Sequence, residues 1–500
     1  MKLHEIDPTT SNNGRRLRRR LNNEEQDRLS SLPDSILTDI LSHLPTNSAA
    51  TTSVLSHRWR HLWTTVTCFQ FDFDLSEQTS SNILLIVNNI LQQMIAPKLY
   101  GFHLVFPSES NLDQPDAAEQ CFRTIFRRKV EQIVFNAGFR SFFRVPAACL
   151  FDSQSLVSLK LIGMLKIELP ENIEIRLPNL KKLSLCYLLD VPIMLRNMFE
   201  FCPLLEDVQL SFDLISLPQP QNPHSLVNVF SPNLKSLDIC MNSWCHLKRS
   251  RIFIDAPKLA NIRVSDCYSF YSFVQYPTAL ASACIDLKGN SIVESNDFEL
   301  QDEEDLYVNG MFEFLERMSS VDNLELMVGK RTNIFTRLGV DMPIFNNLVR
   351  LKANCFKDLM RCLHNFPKLE HLEVSLCSED YDVPTEQRDW YAPYSVPDCL
   401  VSKLKTVRIE GLKGIDDDLK LLEYILRNAM VLEKLCTTIR FKVEHRMRSN
   451  VLKESHFYKS LYNLPRSSST CEVVVPKRVT ASSDVFKNGY ATSCCPNTNI

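Results

Sequence analysis

Along most of this 500-residue chain one short pattern of apolar and polar positions keeps returning: apolar, two residues, apolar, one residue, apolar. It reads LVSLKL at 156–161, LKKLSL at 180–185, LEDVQL at 205–210, LKSLDI at 234–239 and LANIRV at 259–264. It returns as VDNLEL at 321–326, LVRLKA at 348–353, LEHLEV at 369–374 and LKTVRI at 404–409. Weaker copies stand earlier, in LYGFHL at 99–104 and VEQIVF at 130–135. The alternation closing each copy predicts a short strand with one buried face. Several copies follow Pro-Asn-Leu, Ala-Pro-Lys-Leu or Phe-Pro-Lys-Leu, so each strand is expected to start from the same kind of turn. Most copies lie about 21–31 residues apart, room for one strand and one return segment. Such a period predicts a stack in which each unit packs only on its neighbours.

Strand alternation turns the third and fifth residues of each copy away from the core. In the nine clear copies these are Ser158 and Lys160, Lys182 and Ser184, Asp207 and Gln209, Ser236 and Asp238, Asn261 and Arg263, Asn323 and Glu325, Arg350 and Lys352, His371 and Glu373, and Thr406 and Arg408. None is apolar, so a polar, mixed-charge sheet face is expected on the concave side of the stack. Lys160, Lys182, Asp207, Gln209, Asp238, Arg263, Arg350, Lys352, His371, Glu373 and Arg408 are its candidate contacts to a protein target. A sheet buried on one face alone would be equally polar on the other, so both readings stand.

Near the N-terminus the period changes to that of helices. Pro33 suits the first turn of a helix and Asp34 its positive end. Ile36, Leu37, Ile40, Leu41 and Leu44 follow as a wide apolar stripe. Pro45 stops that helix, and Thr46 or Asn47 can cap a second one carrying Ala49, Ala50 and Val54. Ser56 can cap a third with Trp59, Leu62 and Trp63, which places two of the 4 tryptophans one turn apart. Three short helices cannot bury this much apolar surface among themselves. Part of it must meet the neighbouring domain or another protein, with the large aromatics as anchors.

The order of these residues carries more than their composition. The run LPDSILTDILSHLPT…SVLSHRWRHLW, matching over residues 28 to about 66 without a gap, closely resembles an F-box in the form common in plants. That resemblance implies docking onto the Skp-family adaptor of an SCF-type, cullin-based ubiquitin ligase. It makes Leu32, Pro33, Ile36, Leu37, Ile40, Leu41 and Leu44 adaptor-facing, with Val54, Leu55, Trp59 and Trp63 completing the motif. Some of these, Trp63 especially, could instead lock the F-box onto the following domain. The hexamers resemble the irregular leucine-rich repeats that follow an F-box in plant proteins, although the consensus Asn after the strand is mostly missing. Residues 399–435 and LYNLPRSSSTCEVVV at 461–475 resemble the FBD region found at the C-terminus of such proteins. Within it Asp416, Asp417 and Asp418 should open a helix whose apolar side holds Leu419, Leu422, Ile425, Leu426 and Met430.

The expected architecture is α/β. A disordered basic tail (1–26) precedes a three-helix F-box (27–70), a curved leucine-rich-repeat solenoid (71–398), an α+β FBD cap (399–475) and a flexible tail (476–500). Within the solenoid, 270–320 reads as an irregular insertion with a solvated acidic loop, and SLPQPQNP at 216–223 as a loop.

Charge and composition narrow the function. A net charge of −3 gives no global pull toward nucleic acid or an anionic membrane. With 11 Gly and no GxGxxG, GxxxxGK[ST] or GxSxG, there is no phosphate loop or nucleophile elbow. The 17 Cys are odd in number and no signal-peptide pattern opens the chain, so reduced thiols in nucleus or cytoplasm are expected. No CxxC occurs, and Cys240, Cys245 and His246 fit no common zinc site. NILLIVNNILQQMIA at 82–96 is too short to span a bilayer and reads as a packed helix. His57 and His61 are explained by a polar helix face without catalysis. These readings converge on a non-catalytic receptor with no cofactor, which joins the adaptor and its cullin/RING core to an unknown protein substrate. Two rivals stand beside it: a repeat scaffold whose F-box serves non-ligase assembly, and a nucleic-acid regulator acting through Arg15–Arg20 of GRRLRRRL.

Overall fold

A computed structural model describes residues 29, 31–72, 83–106, 115–138, 143–145, 147–167, 175–188, 199–213, 226–242, 251–266, 269–287, 298–328, 342–354, 359–376, 392–440 and 447–475. The basic run at 14–21, the loop at 216–223 and the tail at 476–500 lie outside these residues.

Each hexamer supplies one strand. In chain order the strands are β1 Cys68–Asp72, β2 Gly101–Val105, β3 Gln132–Asn136, β4 Phe143–Val145, β5 Ser158–Ile167, β6 Lys182–Leu188, β7 Asp207–Asp213, β8 Leu226–Phe230, β9 Ser236–Asn242, β10 Arg251–Asp255, β11 Asn261–Ser265, β12 Phe270–Phe273, β13 Ser282–Leu287, β14 Asn323–Val328, β15 Arg350–Ala353, β16 His371–Ser375, β17 Thr406–Leu412, β18 Lys434–Ile439 and β19 Glu472–Val474. One large sheet runs β1-β2-β3-β5-β6-β7-β9-β11-β13-β14-β15-β16-β17-β18-β19, with β4 pairing the far end of β5. A second sheet, β12-β10-β8, is built from the return segments of three successive units. Every pairing along the large sheet from β5 to β18 is parallel. Parallel neighbours need a crossover at each step, and the return segments provide it.

The register repeats because one hydrogen-bond fork repeats. The carbonyl of the second residue in each copy accepts from the second and third N–H groups of the next. Val157 O takes Lys181 N (2.8 Å) and Lys182 N (3.1 Å), and Lys181 O takes Glu206 N (2.8 Å) and Asp207 N (3.0 Å). The same fork recurs at Glu206, Lys235, Ala260, Ala281, Asp322, Val349, Glu370 and Lys405. The turns before the strands are linked by side chains. Asn233 Nδ2 donates to Pro203 O (2.9 Å), and Lys258 of the next Pro-Lys-Leu donates to Asn233 Oδ1 (2.8 Å). Lys368 does the same to Asn347 (3.0 Å). That accounts for the Asn and Lys seen before the leucine of successive copies.

Below the sheet the first, fourth and sixth positions stack in rows. Leu156, Leu159 and Leu161 lie against Leu180, Leu183 and Leu185, then Leu205, Val208 and Leu210, all buried. Toward the N-terminal edge the filling turns aromatic, with Phe69 stacked on Phe102 (centroids 5.2 Å apart) and Phe135 tilted against Phe143 (4.6 Å).

The ladder is longer than the hexamers predict. VTCFQF at 66–71, LASACI at 280–285, LEKLCT at 432–437 and TCEVVV at 470–475 are further copies. LASACI and LEKLCT escape notice because Ala283 and Thr437 fill posts held elsewhere by Leu or Ile, and both are buried. The reading of 270–320 as an irregular insertion is corrected. It holds β12, β13 and a helix, Phe298–Arg317, which takes in most of the acidic letters. Met311, Phe314, Leu315 and Met318 form its buried stripe, and Phe314 lies 5.0 Å from Phe273 and 5.6 Å from Tyr271. The greasy run at 82–96 does form a packed helix, Ile83–Gln93.

Two glycines sit where the register slips. The β5–β6 pairing shifts between Ile162 and Leu165 and the β17–β18 pairing between Ile409 and Leu412. Gly163 (φ +127°) and Gly411 (φ +84°) occupy these bulges, and a Cβ on Gly411 would come 2.6 Å from Leu376 O. Gly411→Ala is expected to destabilise the chain by about 1–3 kcal/mol, read as a lowered melting temperature. A second expectation concerns acid. Glu206 and Glu370 are held below the usual 4.5, first by hydrogen bonds from Lys235 and Lys405. Each therefore contributes stability that is present above pH 4.5 and lost as pH falls through the lowered folded value. The melting temperature of Glu206→Gln/Glu370→Gln should fall below wild type at pH 7, and the gap should narrow as pH falls below 4.5.

Candidate docking surfaces

The N-terminal unit consists of helices Asp34–Ser42 and Thr46–Thr51 and two 3-10 turns, Thr52–Val54 and Leu62–Thr65. The third α-helix expected from Ser56 does not form. Thr64 and Thr65 turn their hydroxyls onto the carbonyls of His61 and Leu62 (2.7 Å each), which favours the tighter turn. Thr46 does not cap its helix either. Its Oγ1 instead accepts the N–H of Gln70 on β1 (2.9 Å), while Ser42 Oγ accepts Thr67 N (3.3 Å). Thr64 O accepts Ile95 N (2.7 Å), so the unit is tied directly to the start of the ladder.

The apolar stripe of the first helix has two fates. Leu37, Leu41 and Trp59 face inward and are buried in this chain, together with Leu62, while Leu32 and Trp63 pack half-buried against the same core. Leu37, Leu41 and Trp59, which the resemblance counts among the adaptor positions, are thus covered within this chain. Ile36 (47% exposed), Ile40 (40%) and Leu44 (37%) point outward, joined by exposed Pro33 and Leu29 and by Val54 (85%) and Leu55 (63%). Arg58 spans the two halves of this band. Its Nε donates to Asp34 Oδ1 (2.7 Å) and its Nη2 to the Leu32 carbonyl. Nothing near Arg58 in the chain announces this contact, although it stands inside Ser56-His57-Arg58-Trp59.

The second surface is the polar face of the ladder. None of the eighteen third- and fifth-position residues is buried. Neighbouring strands pair their charges: Arg263 with Asp238 (4.0 Å) and Lys352 with Glu325 (2.9 Å). Ser184 donates to Gln209 (2.9 Å), His371 Nδ1 bonds Thr406 Oγ1 (2.7 Å), and Arg408 turns along its own strand to Glu410 (2.7 Å). Burial, then Arg350, hold His371 below its ordinary 6.5, and the Glu325 hydrogen bond raises Lys352. Cys284 lies in this row between Arg263 and Glu325, and burial pushes its thiol up to about 12, which keeps it protonated and inert. Among the described residues no group of three His, Cys, Asp or Glu side chains could hold a metal ion.

The C-terminal region closes the ladder. Helix Asp416–Asn428 starts where the Asp418 carboxylate accepts N–H groups of Lys413 and Gly414 (2.8 Å each) and Ile415 (3.3 Å). Burial raises the Asp418 pKa, and these three donors oppose the rise. Leu421, Leu422, Ile425 and Leu426 are buried and Leu419 packs partly, whereas Met430 lies beyond the helix and is exposed, contrary to expectation. Leu-Pro-Arg-x-Ser-Ser then fastens the far end of that helix. Ser467 N donates to Leu426 O (2.9 Å), its hydroxyl to Arg427 O, and Ser468 Oγ to Leu432 O (2.6 Å). Carbonyls that a helix end leaves without partners are thereby satisfied from forty residues away. Arg466 Nη1 donates to Cys471 O (3.0 Å) and holds the approach to β19.

The sequence is similar to those of known proteins. The F-box domain model matches residues 29–71 and the FBD model residues 393–436. An F-box/FBD/LRR-repeat protein of Arabidopsis thaliana is 30% identical over 470 residues, covering 90% of this chain and 99% of the relative. A second protein of that description is 28% identical over 463 residues, 90% and 96% of the two chains. An FBD-associated F-box protein of the same plant is 30% identical over 426 residues, 81% and 98%. With an F-box at its start, an FBD region near its end and full-length relatives of that layout, the chain belongs to the F-box/FBD/LRR-repeat family.

Proposed function

We propose that this protein is a substrate-recognition subunit of an SCF-type ubiquitin ligase. The observation that carries this reading is the open apolar band of Pro33, Ile36, Ile40, Leu44, Val54 and Leu55 on an F-box whose inner side is already packed. A soluble chain leaves such a band uncovered where another subunit covers it. In this reading the partner is the Skp-family adaptor, which brings the cullin/RING core. The parallel ladder is a curved leucine-rich-repeat solenoid, and its polar face holds a protein target through residues such as Lys160, Lys182, Asp207, Arg350 and Glu373. The chain makes and breaks no bonds. It raises the effective concentration of a target lysine near the charged ubiquitin carrier. It works in the nucleus or cytoplasm, where its thiols stay reduced.

The test uses the full chain and a purified plant Skp-family adaptor. Ile36→Asp, Ile40→Asp and Val54→Asp should each weaken binding by roughly a hundredfold while leaving the melting temperature near wild type. Leu37→Asp should unfold the unit instead, because it buries a charge. Equal binding by wild type and the three outward variants, or no binding by wild type, sinks the reading. An adaptor complex that never recruits cullin would favour the scaffold rival.

A further inference from the structure

The apolar band is built from two pieces that are remote in sequence. One is the outer side of helix Asp34–Ser42 with its Leu29–Pro33 approach; the other is Val54 and Leu55 at the exit of the 3-10 turn Thr52–Val54. Their relative placement is what a rigid partner surface would read. Arg58 stands three residues after Leu55 and grips the other piece at two points. Nε and Nη2 lie 2.7 and 2.6 Å from Asp34 Oδ1, and Nη2 also donates to the Leu32 carbonyl. On the inner side its chain neighbour Trp59 is buried. The segment is therefore pinned from both sides, Trp59 to the core and Arg58 to the helix start.

We infer that Arg58 is a positioning residue for adaptor docking: it locks Val54 and Leu55 into one surface with Pro33 and Ile36. The inference rests on the adaptor reading of the band. Both members of the ion pair are substantially exposed, 36% for Arg58 and 65% for Asp34, and exposed pairs add little to stability. What the contact supplies is geometry. A planar guanidinium can serve a carboxylate and a carbonyl at once, which an ammonium on a flexible stem cannot. Without it the 54–58 segment is ordered only when the partner arrives, and that ordering is charged against binding.

The experiment compares full-length wild type, Arg58→Ala, Arg58→Lys and Asp34→Asn. It measures affinity for the purified Skp-family adaptor, amide exchange across residues 53–60 and the melting temperature. Arg58→Ala should weaken adaptor binding roughly three- to tenfold and speed exchange in 53–60, with the melting temperature unmoved. Arg58→Lys should recover part of the loss. Asp34→Asn should cost less than Arg58→Ala, because the Leu32 carbonyl still holds the guanidinium. Unchanged affinity in Arg58→Ala overturns the inference, as does a loss that tracks a falling melting temperature. Should wild type fail to bind the adaptor, the ligase reading fails. Exchange then decides Arg58 separately, since unchanged protection of 53–60 in Arg58→Ala overturns its positioning role.

Discussion

One carbonyl per unit holds this structure in register. In copy after copy the second residue offers its oxygen to two successive N–H groups of the next strand, from Val157 through Lys405 and on to Glu433, which receives Glu472. A parallel pair shifted by one residue would turn the leucines outward and the charges inward. The fork and the leucine rows therefore enforce each other: the backbone sets which residues stand opposite, and burial makes every other offset costly. Return segments can then vary widely. They carry a helix in one place, a strand of the small sheet in another and a 3-10 turn in a third, because register does not depend on them.

Such a ladder has two ends, and the chain treats both with side-chain oxygens. At β1 the hydroxyls of Ser42 and Thr46 receive N–H groups of Thr67 and Gln70, so the F-box helices serve as the first lid. At the far end Ser467 and Ser468 gather carbonyls around the end of helix Asp416–Asn428 and set down β19 as a strand of three residues. A short last strand offers little template for unwanted pairing. The Leu-Pro-Arg-x-Ser-Ser-x-Cys-Glu-Val signature is accounted for by this fastening and asks for no chemistry of its own.

How far the sequence alone leads depends on whether a residue's partner is near it in the chain. The strands were readable because leucines at fixed offsets report burial directly. Copies built on Ala283 or Thr437 were not, since small and polar residues at buried posts erase the signal. Pro33 and Asp34 announced the first helix, yet Ile36 and Leu37 are chemically alike, and only the packing of Trp59 and Leu62 decides which one faces inward. Thr46 reads as a cap by position, and the competing donor, Gln70 N, lies twenty-four residues away. Arg58 and Ser467 were silent for the same reason: their acceptors lie 24–26 and 40 residues off. The aromatic and acidic stretch after residue 270 misled because a run of acidic letters precedes Val308, Met311, Phe314 and Leu315, the buried residues of its helix.

The charge order of the polar face has a consequence for any molecule that approaches it. Along the fifth positions charge alternates from strand to strand: Asp238, Arg263, then Glu325, Lys352, Glu373 and Arg408, with Cys284 as a neutral spacer. Opposite charges a few ångströms apart cancel at a distance, so the face casts a weak field into solvent. Approaching molecules are not drawn in from afar. On the reading proposed for this face, discrimination would follow touch: a visitor would have to replace each internal pair with an equally good one, and a surface of the wrong pattern would be rejected by the charges it strands.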